Sequence, residues 1–188
     1  MLTLKSVSKS FGDKVILKDF SYKFSESGIV CITAPSGRGK TTLLRLIAGL
    51  EKADSGEILS NGVISLLFQE DRLLPWLTTI ENISCVIRQK NADKEKIANE
   101  LLAKLGLSGN ENEKIENLSG GMKRRVAFAR ALALSPDILL LDEPFVGLDD
   151  NTKALLMQMI QEFSKEKLVL LVTHDKSDLK LADEVISL

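Results

Sequence analysis

The chain has 188 residues, 44% hydrophobic and 27% charged, with a net charge of −1; this allows one domain with a sizeable core and argues against a surface built mainly to hold nucleic acid. Cys31 and Cys85 form no CxxC pattern, which disfavours a zinc site or disulfide framework and fits a reducing cytoplasm. No apolar run approaches the ~18 residues of a membrane span, and Met1 opens a polar-alternating stretch rather than a secretory leader.

In chain order, Leu2 and Leu4 alternate with polar neighbours, and Val15-Ile16-Leu17 follows a Gly12-Asp13 turn, so the N-terminal part reads as strands. Ile29–Thr33 is short, β-branched and apolar on both faces, as a buried parallel strand requires. After a glycine-bearing loop, Leu43, Leu46, Ile47 and Leu50 are spaced for one helix face, with Gly49 as its stop signal. From about Glu70 to Leu134 the pattern is largely helical. Ile97, Leu101 and Leu105 share a face that stops at Gly106, and Asn110 to Asn117 reads as loop. Ser119 has the chemistry of an N-cap for a helix running to Ser135-Pro136. Ile138–Leu141 and Leu168–Val172 read as further buried strands, with a helix through Leu156, Met159, Ile160 and Phe163 between them. The chain ends soon after the strand-like Val185-Ile186-Ser187.

The segment Ala34-Pro35-Ser36-Gly37-Arg38-Gly39-Lys40-Thr41-Thr42 lies between a buried strand and a helix. Its glycines let backbone N–H groups turn inward on phosphate oxygens, and the helix N-terminus adds a positive dipole end. Lys40 can reach β- and γ-phosphates, and the Thr41 hydroxyl suits Mg²⁺. Ala34 stands where the G-x-x-x-x-G-K-[ST] pattern has its first glycine. Asp142 and Glu143 follow a buried strand and emerge at its C-terminal end, where open α/β sheets bind ligands. Asp142 can hold Mg²⁺ through water, and Glu143 is then placed to polarise an attacking water. Leu118-Ser119-Gly120-Gly121-Met122 is a second donor-rich anion site, which leaves two phosphate sites for one nucleotide.

The phosphate loop, Gln69, Leu118-Ser119-Gly120-Gly121, Leu141-Asp142-Glu143-Pro144, Gly147-Leu148-Asp149 and His174 occur in the order found in ATP-binding cassette (ABC) ATPases. The chain resembles that family from Leu2 to Leu188. The resemblance implies an α/β fold: a P-loop NTPase (RecA-like) core with an N-terminal antiparallel β subdomain and an inserted α-helical subdomain. It divides a single domain, 1–188, into a core of about 1–69 and 136–188 and a helical subdomain of about 70–135. It implies ATP and Mg²⁺ as ligands, with Ser36, Gly37, Arg38, Gly39, Lys40, Thr41 and Thr42 on the phosphates and Phe11 stacked on adenine. It assigns Gln69 to Mg²⁺ and the attacking water, with Thr41 and Asp142 as the other metal contacts. His174, the only histidine, would contact the γ-phosphate. Two chains would close head-to-tail on two ATP, each offering Ser119, Gly120 and Gly121 to its partner's nucleotide, with Asp149 in the loop that crosses between them.

The string Phe68-Gln69-Glu70-Asp71-Arg72-Leu73-Leu74-Pro75-Trp76-Leu77-Thr78 is similar to the nitrate, sulfonate and taurine importer ATPases. That similarity implies the energy-coupling subunit of an importer of a small anionic or organic solute. Its partners would be a second copy, an integral membrane permease and, indirectly, an extracytoplasmic solute-binding protein, with no nucleic acid. The expected location is cytoplasmic, peripheral on the inner membrane face through the permease. The alternatives are an ABC exporter or lipoprotein-release ATPase, and less readily a non-transport ABC ATPase, which would normally join two cassettes or carry a long coiled coil. A small-molecule P-loop kinase has no use for Leu118–Met122 or His174. Three expectations remain for the structure to answer. Lys123-Arg124-Arg125 with Arg130 reads as a solvated basic face; Trp76 reads equally as internal packing or as a partner's docking surface; and no room remains for a C-terminal regulatory domain.

Overall fold

A computed structural model describes residues 1–35, 37–88 and 91–188. Three strands, β1 (Leu2–Phe11), β2 (Lys14–Lys23) and β4 (Ser55–Ser60), form an antiparallel sheet in the order β2-β1-β4. Five others, β3 (Gly28–Thr33), β5 (Ile64–Leu67), β6 (Ile138–Asp142), β7 (Leu168–Val172) and β8 (Glu184–Ser187), form a parallel sheet in the order β5-β6-β7-β3-β8. The helices are α1 (Lys40–Ile47), α2 (Thr79–Ser84), α3 (Asn91–Lys104), α4 (Gly120–Ala133) and α5 (Asp150–Ser164).

Strand alternation explains the layering, because successive side chains leave a strand on opposite faces. Ile29 and Cys31 of β3, Leu139 and Leu141 of β6, and Val169 and Leu171 of β7 join one core with Ala98, Leu102, Val126, Phe128 and Leu156 of α3, α4 and α5. Val30, Ile32, Leu140, Leu170 and Val172 face the other way, onto Leu43, Leu44 and Ile47 of α1 and Leu2, Leu4 and Val7 of β1. Both faces of the parallel sheet are therefore covered, which is why its strands read as unbroken apolar runs. Each fully buried leucine contributes about 1.5–3 kcal/mol relative to exposure. Among the described residues, no helix is long and apolar enough to cross a membrane.

The helix after the glycine loop is shorter than its spacing implied. Gly49 takes φ +70, Gly49 N–H bonds to Leu46 O at 3.1 Å, and Leu50 N–H bonds to Arg45 O at 2.9 Å. That pairing is a Schellman stop, so Leu50 falls outside α1 and is exposed. In α3 the fully buried face is Ala98 and Leu102, continued by Leu105 just beyond the helix, with Ile97 and Leu101 only flanking it. Strands β4 and β5 were absent from the sequence reading, whereas Ser119 caps α4 as expected, its hydroxyl accepting from Met122 N–H at 3.3 Å.

Candidate active site

The C-terminal ends of the parallel strands carry the chemistry. One cavity of about 390 Å³ is lined by Gly37, Gly39, Lys40, Thr41 and Thr42 from the glycine loop and α1, Gln69 from beyond β5, Asp142 at the end of β6 and Glu143 just after it, and His174 from beyond β7. Residues scattered over some 140 positions thus share one hollow, because β6, β7 and β3 are adjacent and parallel. Lys14 and Ile16 of β2 line the same cavity; neither was found in the sequence, where a lysine on an alternating strand carries no distinguishing signal.

The loop's backbone explains its glycines. Gly37 and Gly39 take φ +74 and +94, and a Cβ on Gly39 would lie 2.4 Å from Ile16 Cγ2, so only glycine fits there. Ala34 has no such left-handed backbone, so its methyl group is tolerated where the pattern has glycine. Lys40 is buried, and its Nζ donates to Ala34 O at 2.8 Å. Arg38 is exposed and does not line the cavity, while Ser36 lies outside the described residues.

Asp142 and Glu143 are both buried, and Asp142 Oδ1 and Glu143 Oε1 have no hydrogen-bond donor. Burial is the main force that raises both carboxyls above their ordinary range. The Thr41 hydroxyl and the Arg45, Arg124 and Lys40 charges oppose it at Asp142; His174 and Lys40 oppose it at Glu143, and the Asp142 charge adds to the rise. His174 Nε2 stands 3.0 Å from Glu143 Oε1 but is not aligned to donate to it, and the imidazole is largely exposed. Two buried carboxylate oxygens without donors, next to Thr41 and Gln69, suit a divalent cation and a reacting water. Mg²⁺ keeps several waters and binds through one or two carboxylates plus substrate phosphates, so these residues fit it.

Behind His174 the segment is tied down. Thr173 Oγ1 donates to Asp178 Oδ2 at 2.7 Å and accepts from Asp175 N–H at 3.1 Å. Lys153 Nζ of α5 lies 2.6 Å from Asp178 and 3.0 Å from Asp175. The Ser177 N–H, its hydroxyl and Lys153 pull the Asp175 carboxyl down to about 2.

Other candidate residues lie outside the cavity. Phe11 ends β1, 49% exposed, with Lys9 Nζ 5.0 Å from its ring centre; it is not a core aromatic. Ser119 and Gly120 are exposed at the N-terminus of α4, with Gly121 beside Leu148. Asp149 is also exposed, and its carboxylate caps α5 by accepting from Thr152 N–H at 2.9 Å and Thr152 Oγ1 at 2.7 Å.

The basic run does not form a solvated face. Arg124 is only 4% exposed, Arg125 donates to Leu105 O at 2.9 Å, and Arg130 donates to Asp71 O at 3.0 Å. The helix spacing was right, but main-chain carbonyls supply partners that no sequence pattern displays. Trp76 is 75% exposed, which removes the internal-packing reading.

Residues 17–146 match the family described as ABC transporter. The chain belongs to that family. Import ATP-binding proteins for aliphatic sulfonates from Shouchella clausii and Zymomonas mobilis are similar to it: the first is 41% identical over 98% of this chain and 75% of its own length, the second 43% over 100% and 81%. A spermidine/putrescine import ATP-binding protein from Mesoplasma florum is 36% identical over 99% of this chain and 58% of its own. A solved ATP-binding cassette, a dimer in a post-hydrolysis state with ADP and phosphate, superposes with TM-score 0.90 at 33% identity, covering 100% of this chain and 94% of that one. The chain is accordingly an ABC ATPase, which binds and hydrolyses ATP.

Lys14 places a second cation beside the glycine loop: a Cβ on Gly37 would lie 3.9 Å from its Nζ. Lys14→Met is expected to weaken ATP binding by about three- to tenfold, with the loss shrinking as salt rises. Titration calorimetry at two ionic strengths checks this; an unchanged affinity at low salt would make Lys14 a bystander.

Proposed function

We propose that this chain is the energy-coupling subunit of an importer of a small anionic or organic solute, working as a head-to-tail dimer against a membrane permease. One observation carries the assembly. Ser119 and Gly120 form an exposed helix N-terminus outside the cavity that gathers the glycine loop, Gln69, Asp142, Glu143 and His174. A donor-rich helix end facing solvent suits an anion brought by another molecule, and the superposable cassette is a dimer. In this reading each phosphate loop meets the Ser119–Gly121 segment of a second copy.

In the reaction, phosphate oxygens lie on the N–H groups of the loop, and Lys40 exchanges its bond to Ala34 for the β- and γ-phosphates. Thr41, Asp142 and Gln69 would hold Mg²⁺, which neutralises charge on those phosphates when bound. Glu143 takes a proton from water as that water attacks the γ-phosphorus and the bond to the β-phosphate oxygen breaks. The raised carboxyl of Glu143 makes it a better base than an ordinary glutamate. His174, anchored through Thr173, Asp175 and Asp178, steadies the γ-phosphate and the water. Phe11 offers its exposed ring to the adenine.

The sulfonate importer relatives support import and a small anionic cargo, while the polyamine importer relative is reason to place cargo choice in the permease and the solute-binding protein. The permease is proposed to seat at an apolar groove of about 350 Å³ walled by Leu66, Leu74, Val86, Ala127 and Leu134. Trp76 stands exposed two residues beyond Leu74. Such seating would hold the chain at the inner membrane face. Trp76→Glu should leave the ATPase rate of the isolated chain within about twofold, as for a surface change, while abolishing co-purification with the co-expressed permease. Undiminished co-purification would place the docking surface elsewhere.

A further inference from the structure

Arg124 lies in the second turn of α4, five residues beyond Ser119, and is almost wholly buried. Its guanidinium reaches two separate segments of the active site. On one side Nη2 donates to Asp142 O at 3.1 Å and Glu143 O at 2.9 Å, and Nε donates to Pro144 O at 3.1 Å. On the other, Nη1 donates to Phe68 O at 2.7 Å, Gln69 O at 3.2 Å and Asp71 Oδ1 at 3.1 Å. All three guanidinium nitrogens are thus used, and five of the six acceptors are main-chain carbonyls, the sixth being the Asp71 carboxylate.

The backbone at Glu143 makes this arrangement matter for chemistry. Glu143 takes φ +51, a left-handed conformation that a non-glycine residue keeps only when its surroundings enforce it. Three contacts hold it: its N–H donates to Val172 O at 2.9 Å, and its carbonyl accepts from Arg124 at 2.9 Å and, more weakly, from Val146 N–H at 3.4 Å. Rotation about this backbone swings the Glu143 carboxylate, which lies next to His174 in the cavity. The opposite edge of the guanidinium fixes the carbonyl of Gln69, whose side chain lines the same cavity.

We infer that Arg124 is a positioning residue for hydrolysis, holding Glu143 in its left-handed turn and locking that turn to the Gln69 segment so that base and water-orienting group keep one fixed separation. The planar fork is what allows this, because a lysine ammonium has three donors at one point and cannot span both segments. The inference rests on the general-base role of Glu143. Arg124 touches no substrate, so its loss acts through geometry; misplacing catalytic groups by about 1 Å can cost on the order of a hundredfold.

The test uses the full chain carrying R124Q, R124K or R124A, with ATP turnover and ATP affinity measured in parallel. R124Q is expected to lose about ten- to a hundredfold in kcat with ATP affinity changed less than about threefold. R124K should recover only part of the rate. Millimolar guanidinium ion should restore turnover to R124A, where methylammonium does not. Amide hydrogen exchange should quicken at residues 69–71 and 142–146 while β3 and β7 stay protected. A kcat for R124Q equal to the parent's would overturn the inference, as would equal loss of turnover and binding, or faster exchange throughout the parallel sheet. Glu143→Gln, run alongside, separates the two levels: if it hydrolyses ATP normally the base assignment fails, and if it is inactive while the Arg124 variants are normal, only the positioning role fails.

Discussion

Glu143→Gln is expected to keep ATP binding and to lose turnover by about 10²–10⁴-fold, the usual contribution of a positioned general base. Glutamine fills the same space, so the left-handed turn and its bonds to Val172 O and Arg124 persist. What is lost is the capacity to accept a proton from water. Because Glu143 is buried, with its carboxyl raised above the ordinary range, the change should also stabilise the nucleotide-free protein at neutral pH. For a carboxyl raised in the folded state, stability is greatest below the unfolded value of about 4.3 and falls as pH rises through the folded value. The variant's gain in Tm should therefore be present at pH 7 and vanish near pH 4. Phosphate release and thermal scans at the two pH values check both parts; near-normal phosphate release would remove Glu143 from the base role.

Ser119→Arg is expected to abolish hydrolysis while leaving ATP affinity of the single chain nearly unchanged. Ser119 lies outside the cavity lined by the glycine loop, exposed at the start of α4, so under the proposed assembly its own chain's nucleotide would not depend on it. Loss of the cap costs about 1 kcal/mol of local helix stability, too little to unfold a domain of this size. The large effect comes from placing a bulky cation where a second copy's nucleotide would approach. Equilibrium ATP binding beside steady-state hydrolysis separates the outcomes: parallel loss of both would make Leu118–Met122 a local structural element.

The parallel sheet was largely legible because both of its faces are covered. Ile29–Thr33, Ile138–Leu141 and Leu168–Val172 are apolar but for the terminal Thr33, and each became a strand. Ser119 was legible as a cap because capping is local chemistry. Elements that depend on distant partners were not. β4, with Ser-Gly-Glu in its first half, is a strand because it pairs with β1, some fifty residues earlier. β5 offers four residues, too few to show a period. Leu50 kept the helical spacing while Gly49 had already turned the chain.

At the site, the glycine loop, Gln69, Asp142, Glu143 and His174 were named from their order along the chain, and the fold brings Gly37, Gly39, Lys40, Thr41 and Thr42 together with those four. Lys14 was missed, and Arg124 misread as solvated, for opposite reasons. The lysine acts through its position on a neighbouring sheet, and the arginine is held by carbonyls, which every residue carries and no sequence reveals.

The claim that two anion sites in one chain serve two nucleotides shared by two chains is tested most directly by native mass measurement of the Glu143→Gln chain with MgATP. The expected particle is two copies of the 20.7 kDa chain carrying two ATP, reduced to single chains with one ATP each when Ser119→Arg is added. A single chain that stays single at saturating ATP, or a dimer that survives Ser119→Arg with both nucleotides in place, would contradict it.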